Sequence, residues 1–503
     1  MALKIERAAP PREDRLQAGA AFCGTCAELR ERLGRPDGGC LNLADRSFGQ
    51  SFGCQFTLSL SMLNTLLNTV LIVHGPIGCG FWSAGGAGAV RTMKRLRDPG
   101  QGATVQISTN LDESDVISGG EAKLREAVIY ADREFRPEAI VVASSCVPAL
   151  IGDDVDKILS SLEKDVSAEL VAVNCEGFKT RLMATAYDAV YNGILKTLSG
   201  KKIERESLAV PDRLDDFLWN YRNAHTVNVF NVGSMGRADE VELARLLSAL
   251  ELDVNFLPCF ARPRDFRKIL DAALNVSICG THDDYYFQRI YDEYGVPFLI
   301  DTMPIGRKGT ARWLRNIAKR FHIEERAELL IEKEDAALDA ALEPCRRALR
   351  GKRAYISGGE IRIFVTAELV MDLGMVPAGL KGHHIDRFVE PVMDDAELSG
   401  ETWIDIASQH PFEQANLIRR LKPDVIIMHS GSGNITAKHG LPVLPLFNPA
   451  NSYMGYAGAF DAACRLKRVI ANSQYNKNMQ KYRPLPYRES WYEKEVSSYI
   501  KER

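Results

Sequence analysis

Along this 503-residue chain one pattern recurs: a short β-branched, aliphatic run stops at Gly, Cys, Ser or Asn and gives way to helical periodicity. Residues 69–73 run into His74-Gly75-Pro76, 139–143 into Ser144-Ser145-Cys146, and 170–173 into Asn174-Cys175. Residues 227–231, 275–278, 353–356 and 424–428 repeat it before Val232-Gly233-Ser234, Cys279-Gly280, Ser357-Gly358-Gly359 and His429-Ser430-Gly431. Near-continuous apolar strands alternating with helices are what parallel sheets covered on both faces require. The expected fold is therefore α/β, with the unit used several times over.

At about 150 residues per domain, the length suggests three domains. Two charged stretches read as boundaries: 199–206 (SGKKIERE), and 312–353, whose Ala, Leu, Glu, Lys and Arg suit one long surface helix. The domains are placed at 1–205, 206–350 and 351–503. Hydrophobic residues at 46% and charged residues at 26% exclude a disordered or fibrous chain. The balance of 63 basic against 66 acidic residues supplies no global field for nucleic acid or an anionic membrane, so neither is an expected partner. The most apolar stretch, 62–73, is broken by Asn64, Thr65, Asn68 and Thr69 and is shorter than the roughly 20 residues of a membrane span. Residues 1–14 lack the apolar region of a secretory signal, so the expected location is the cytoplasm. Eleven cysteines, an odd number, argue against a disulfide scaffold and leave metal binding or burial.

In open α/β sheets ligands bind at the carboxyl ends of strands. Cys79, Cys146, Cys175 and Cys279 all lie just past such an end, and Cys54 follows Ser51-Phe52-Gly53 in a glycine-bearing turn. Any one of them alone reads as a small buried apolar residue; several together suggest iron–sulfur chemistry, whose ligands are thiolates. Cys23-Gly24-Thr25-Cys26 with Cys40 lacks a fourth ligand and leaves metal binding and free thiols equally open. Cys259, Cys345 and Cys464 have no visible partner and read as buried. No GxxxxGK[ST] is present, so ATP hydrolysis by this chain is not expected. Gly358-Gly359 and Gly431-Ser432-Gly433-Asn434 are partial glycine loops, and Asp153-Asp154 and Asp283-Asp284 fit helix N-terminal turns.

The segments His74-Gly-Pro-Ile-Gly-Cys79-Gly, Ser145-Cys146 through Gly152-Asp153-Asp154, and Cys175-Glu176-Gly177-Phe178 resemble the nitrogenase component 1 family, nearest its α-type subunits. Thr109–Asp112, Ser118-Gly119-Gly120-Glu121, 275–279, Tyr294-Gly295-Val296-Pro297 and 356–359 extend the resemblance over most of the chain beyond about residue 45. The resemblance implies three doubly wound α/β domains and an α2β2 assembly with a related β-type subunit. It implies that Cys54, Cys79 and Cys146 are metal ligands of a P-type [8Fe-7S] cluster shared with that subunit, since three thiolates cannot satisfy eight irons. Cys279 would bind one end of a large iron–sulfur active-site cluster of open heterometal, with Gly358 and Gly359 beside it. Electrons would come from a separate ATP-dependent iron–sulfur reductase, a homodimer, in keeping with the missing P-loop.

The departures from the family pattern bear on the substrate. Nitrogenases hold the far end of the cofactor with a His; the matching loop here, 444–456, has none, and Pro445 or Asn448 stands near that place. The Gln and His that follow the CEGF segment become Met183 and Tyr187, and an Arg after HGPxGC is replaced by Gly85-Gly86-Ala87-Gly88. His383, in the pair His383-His384, and His429 remain as candidate proton donors or substitute ligands; His74 shapes the glycine turn. A pocket stripped of polar groups suits an uncharged small molecule. The expected activity is that of a methylthio-alkane reductase, cleaving a C–S bond of a small thioether to methanethiol and a hydrocarbon. A cofactor-assembly scaffold or a true dinitrogenase α subunit is the alternative.

Overall fold

The computed structural model describes residues 5–35, 41–49, 54–198, 224–408, 410–429 and 436–502. Cys40, the boundary stretch 199–206 and the loop 431–434 lie outside the described residues, as do the side chains of 85–88. Two strands precede the first sheet, β1 (Ala21–Thr25) and β2 (Ala44–Arg46). The first sheet holds β3 (Thr69–His74), β4 (Val105–Ser108), β5 (Ala139–Ser144) and β6 (Glu169–Asn174) in the order β4-β3-β5-β6, all parallel. β3 and β5 are buried along their whole length, as a strand covered on both faces must be.

The second sheet, β7 (Thr226–Phe230), β8 (Asp253–Leu257), β9 (Leu274–Ser277) and β10 (Phe298–Leu299), runs parallel in the order β10-β9-β7-β8. The third comprises β11 (Arg353–Ser357), β12 (Val376–Gly382), β13 (Trp403–Ala407), β14 (Val425–His429) and β15 (Val443–Phe447). Its order is β1-β13-β12-β11-β14-β15, so β1 from the chain's beginning closes one edge, and it alone is antiparallel. A short terminal strand, β16 (Ile500–Glu502), pairs with β2.

Each sheet reverses direction beside its first strand: between β3 and β5, between β7 and β9, and between β11 and β14. Connections leave those pairs in opposite directions, which opens a crevice at their carboxyl ends. Cys79 and Cys146 follow β3 and β5, Cys279 follows β9, and Gly358-Gly359 and His429 lie at the ends of β11 and β14, so these candidates sit at the three points.

The stretch 312–353 is two helices rather than one, Gly306–Phe321 and Glu324–Leu349. His322, in left-handed conformation at φ 57°, closes the first of them. Trp313, fully buried, and Leu314, Ile317 and Ala318 explain why this segment is not a surface helix: its apolar stripe enters the main core.

Candidate metal and cofactor sites

Three thiols gather at the first crevice, each at the N-terminal end of a helix. Cys54 immediately precedes Gln55–Leu63, Cys79 is in the first turn of Ile77–Arg97, and Cys146 opens Cys146–Ile151. A Cβ placed on Gly177 would lie 3.0 Å from Cys54 Cβ, 3.2 Å from Cys54 Sγ and 3.6 Å from Cys146 Sγ. Glycine therefore leaves open the space between two of the thiols. Burial and the neighbouring Cys146 and Cys54 push the Cys79 thiol up, and Ser145 opposes the shift. Among the described residues no three His, Cys, Asp or Glu side chains converge closely enough for one metal ion. A set of thiols that rings a space without meeting at a point fits a multi-iron cluster better than a mononuclear ion.

The surroundings of these thiols are fixed from behind and open in front. Buried His74 sits between Thr109 Oγ1 and Asp153 Oδ2, each 3.1 Å away, and burial holds it neutral; Asp153 also accepts from the Gly120 amide. Asp153 is thus a clamp for the glycine turn, and only Asp154 caps a helix as the sequence suggests. Gln55 Nε2 donates to the Glu176 carbonyl, tying the Cys54 turn to the 175–178 segment. Cys175 is buried in the core with its thiol on the Ser144 carbonyl, 3.7 Å, and faces inward. On the outer side Ile77, Phe81, Leu150 and Phe178 are exposed, Phe81 to 75% and Leu150 to 70%.

At the second crevice, Cys279 follows β9. Its amide donates to Ser277 Oγ, its Sγ lies 3.3 Å from Thr281 Oγ1, and its carbonyl accepts from the His282 amide. Ser277 Oγ also donates to Asp283, which accepts from Tyr191 as well; burial pushes the Asp283 carboxyl up to about 7. Asp283 therefore braces the cysteine turn instead of capping the helix that follows. Gly280 has no room for a side chain, since a Cβ would meet Ile300 Cγ2 at 2.9 Å and Ile361 Cδ1 at 3.1 Å. That contact presses the Cys279 turn onto the helix Glu360–Asp372, which begins after Gly358-Gly359.

This helix brings Arg362 to the thiol. Arg362 donates to His429 Nε2 at 2.8 Å and to Ser234 Oγ at 3.0 Å, and lies over the Phe447 ring. Tyr453 reaches the same Ser234 hydroxyl. Burial pushes the Cys279 thiol up to about 11, against the pull of Arg362, so without metal it stays protonated. Burial and Arg362 bring His429 down to about 3; with Nδ1 on the Phe447 carbonyl and Nε2 on Arg362, both ring nitrogens are taken. His429 serves here to aim Arg362. His383 differs: its Nδ1 is buried and has no hydrogen-bond partner among the described residues, and burial keeps the ring neutral. That is the donor a metal requires. His384 is held between Glu360 Oε1 at 2.5 Å and Asp386 Oδ2 at 3.4 Å, and despite burial those carboxylates raise it to about 9.

A family model for nitrogenase component 1 type oxidoreductases matches residues 54–471. The chain belongs to this family. The nitrogenase molybdenum-iron protein alpha chain of Methanosarcina barkeri is 28% identical over 333 residues, 63% of this chain and 58% of that protein. The chain thus aligns with just under three fifths of that relative's length. The nitrogenase iron-molybdenum cofactor biosynthesis protein NifE of Rippkaea orientalis is 27% identical over 407 residues, covering 79% of this chain and 80% of that one. The solved structure of nitrogenase Cp1 at pH 5 superposes with a TM-score of 0.70 at 22% identity, over 88% of this chain and 92% of that one, and shows the shared fold.

Within this nitrogenase component 1 fold, several residues were not singled out from sequence. Arg362 and Glu360 sit in a helix whose charges read as a solvated face. His282 stacks on Tyr187 with ring centroids 3.7 Å apart; its Cys-x-x-His spacing from Cys279 was a readable signal. Tyr187, His282, His383 and His429 each keep partial exposure.

Replacing Gly177 by Ala is expected to lower severalfold any iron held between Cys54 and Cys146, because the new methyl would lie 3.0 Å from Cys54 Cβ and 3.2 Å from its Sγ and displace that side chain. Iron analysis of the anaerobically purified protein checks this; full iron occupancy would show that the space is not used.

Proposed function

We propose that this chain is the α-type subunit of a nitrogenase-like reductase that cleaves the C–S bond of small, uncharged methylthio-alkanes. The observation that carries this reading is the lining of the Cys279 crevice. The described residues near Cys279 include the neutral imidazoles His282 and His383, the Arg362 guanidinium held by His429, and the rings of Phe447 and Tyr453, and the 444–456 loop carries no His. The missing loop His, with Met183 and Tyr187 where nitrogenases carry Gln and His, supports chemistry other than dinitrogen reduction, and a small thioether needs no charged partner there.

In this reading Cys54, Cys79 and Cys146 hold the subunit's half of a P-type [8Fe-7S] cluster, and Cys279 Sγ holds a large iron–sulfur cofactor. The clusters would supply electrons at low potential, delivered by an ATP-dependent iron–sulfur reductase. The balance is CH3–S–R plus two electrons and two protons giving CH3SH and RH. The chain's residues bind and orient. His383 Nδ1 is free to take the cofactor's second position, Arg362 is aimed by His429, and His384 keeps a proton beside Glu360 up to about pH 9. The exposed Ile77, Phe81, Leu150 and Phe178 around the relay thiols support a β-type partner seated on them, because apolar surface beside an incomplete ligand set has two reasons to be covered. A cytoplasmic location follows from the need for an ATP-consuming electron donor.

The test is iron, molybdenum, vanadium and acid-labile sulfide on the anaerobic complex, followed by turnover of dimethyl sulfide or ethyl methyl sulfide with the reductase and ATP. Iron for two large clusters per αβ pair and release of methanethiol are expected. Cofactor without methanethiol would favour the assembly scaffold, and ammonia from dinitrogen would favour a dinitrogenase. Iron for one small cluster or none would overturn the reading altogether.

A further inference from the structure

Cys345 and Cys464 are far apart in sequence and read as unrelated buried thiols, yet their Sγ atoms lie 4.0 Å apart. They join the long helix Glu324–Leu349 to the helix Gly455–Ala471, which pack closely along their length. The two sulfurs differ in access: Cys345 is buried, whereas Cys464 is only partly covered. Burial and the neighbouring Cys464 push the Cys345 thiol up, and the ammonium of Lys467 pulls it down. Pro344 stands inside the helix immediately before Cys345. Lacking an N–H, it removes one helical hydrogen bond there and leaves the backbone freer to shift. A disulfide needs about 2.05 Å between sulfurs, so the pair must close by about 2 Å, a displacement that side-chain rotation and a loosened turn supply.

We infer that Cys345 and Cys464 form a reversible dithiol–disulfide site, separate from the cluster ligands, that locks these two helices together when the protein meets a small disulfide oxidant. The more accessible Cys464 thiolate attacks the oxidant R′S–SR′ and releases R′SH, leaving a mixed disulfide. Cys345 thiolate then attacks the Cys464 sulfur and expels the second R′SH. The protein loses two thiol hydrogens and two electrons; the oxidant gains both as two thiols. The closed loop spans residues 345–464, so the bond removes much freedom from the unfolded chain. Its effect is directed at the site, because the helix it fixes follows the 444–456 loop that carries Tyr453.

The experiment treats the anaerobic, cluster-loaded complex with excess glutathione disulfide, then alkylates and maps peptides. A cross-linked 345–464 pair, reversed by dithiothreitol, with iron unchanged and the thermal midpoint raised by several degrees, is the expected result. Cys345→Ser should stop at glutathione attached to Cys464, and Cys464→Ser should leave Cys345 unmodified. Two outcomes overturn the inference: both thiols alkylating fully after oxidation, or wild-type protein accumulating the mixed disulfide at Cys464 while Cys345 stays free.

Discussion

Replacing Arg12 by Leu is expected to destabilise the protein by about 3–5 kcal/mol at neutral pH, because a buried charge network would lose its centre. Arg12 is fully buried. Its Nε lies 3.1 Å from Asp188, a second nitrogen pairs with Asp284, and a third lies 3.6 Å from Asp386. Asp188 follows β6 of the first sheet, Asp284 lies between β9 and β10 of the second, and Asp386 follows β12 of the third, so one guanidinium ties together parts of all three. The neighbouring carboxylates raise the Arg12 pKa in spite of its burial. Arg15 keeps Asp188 and Asp284 partly compensated in the variant, whereas Asp386 keeps His384 and the Phe388 amide but loses its guanidinium. The deficit has a pH signature. Unpaired buried carboxyls have folded pKa values above their unfolded ones, so the variant regains stability as pH falls toward 5 and loses it again as pH rises. Urea unfolding at pH 5.5 and 7.5 reads both quantities, and a loss below 1 kcal/mol at pH 7.5 would contradict the network's importance.

The second large effect tests the proposed reading by separating its two metal sites. Cys279→Ala is expected to keep the iron of the relay site, lose that of the cofactor and reduce methanethiol release by more than about 100-fold, since even indirect partners of a metal ligand are worth 10- to 100-fold. Cys146→Ala should do the reverse, sparing cofactor iron while removing relay iron and with it electron delivery. Iron per αβ pair and low-temperature electron paramagnetic resonance distinguish the two. If both variants lost the same iron, the chain would hold one cluster and not two.

Much of this architecture was legible because its parallel strands are buried on both faces. β3, β5, β6, β7, β9, β11 and β14 each read as an apolar run, and each observed strand falls within a residue or so of the expected one at either end. The strands that escaped notice lack that signature. β1 is Ala-Phe-Cys-Gly-Thr, β10 has two residues, and β15 carries Pro445 at its centre. The cysteines and glycines of the candidate sites were visible because strand ends are where α/β proteins bind ligands. Arg12, Arg362 and Glu360 were not, because a charged side chain in a mixed segment reads as solvated until the fold buries it. The pairing of Cys345 with Cys464 depends on how two helices meet, which no local pattern encodes.

The antiparallel edge of the third sheet sets a timetable for synthesis. Ala21 pairs with Ala407, so β1 leaves the ribosome long before its partner exists. At about 5–20 residues per second the wait is on the order of 20–80 s. Through that interval the nascent chain carries an unpaired strand with Phe22 and Cys23, while the first and second sheets can already close around their own neighbours. Of the three parallel sheets the third is therefore the last to be completed, and a ribosome that stalls before β13 releases a chain in which β1 is unpaired.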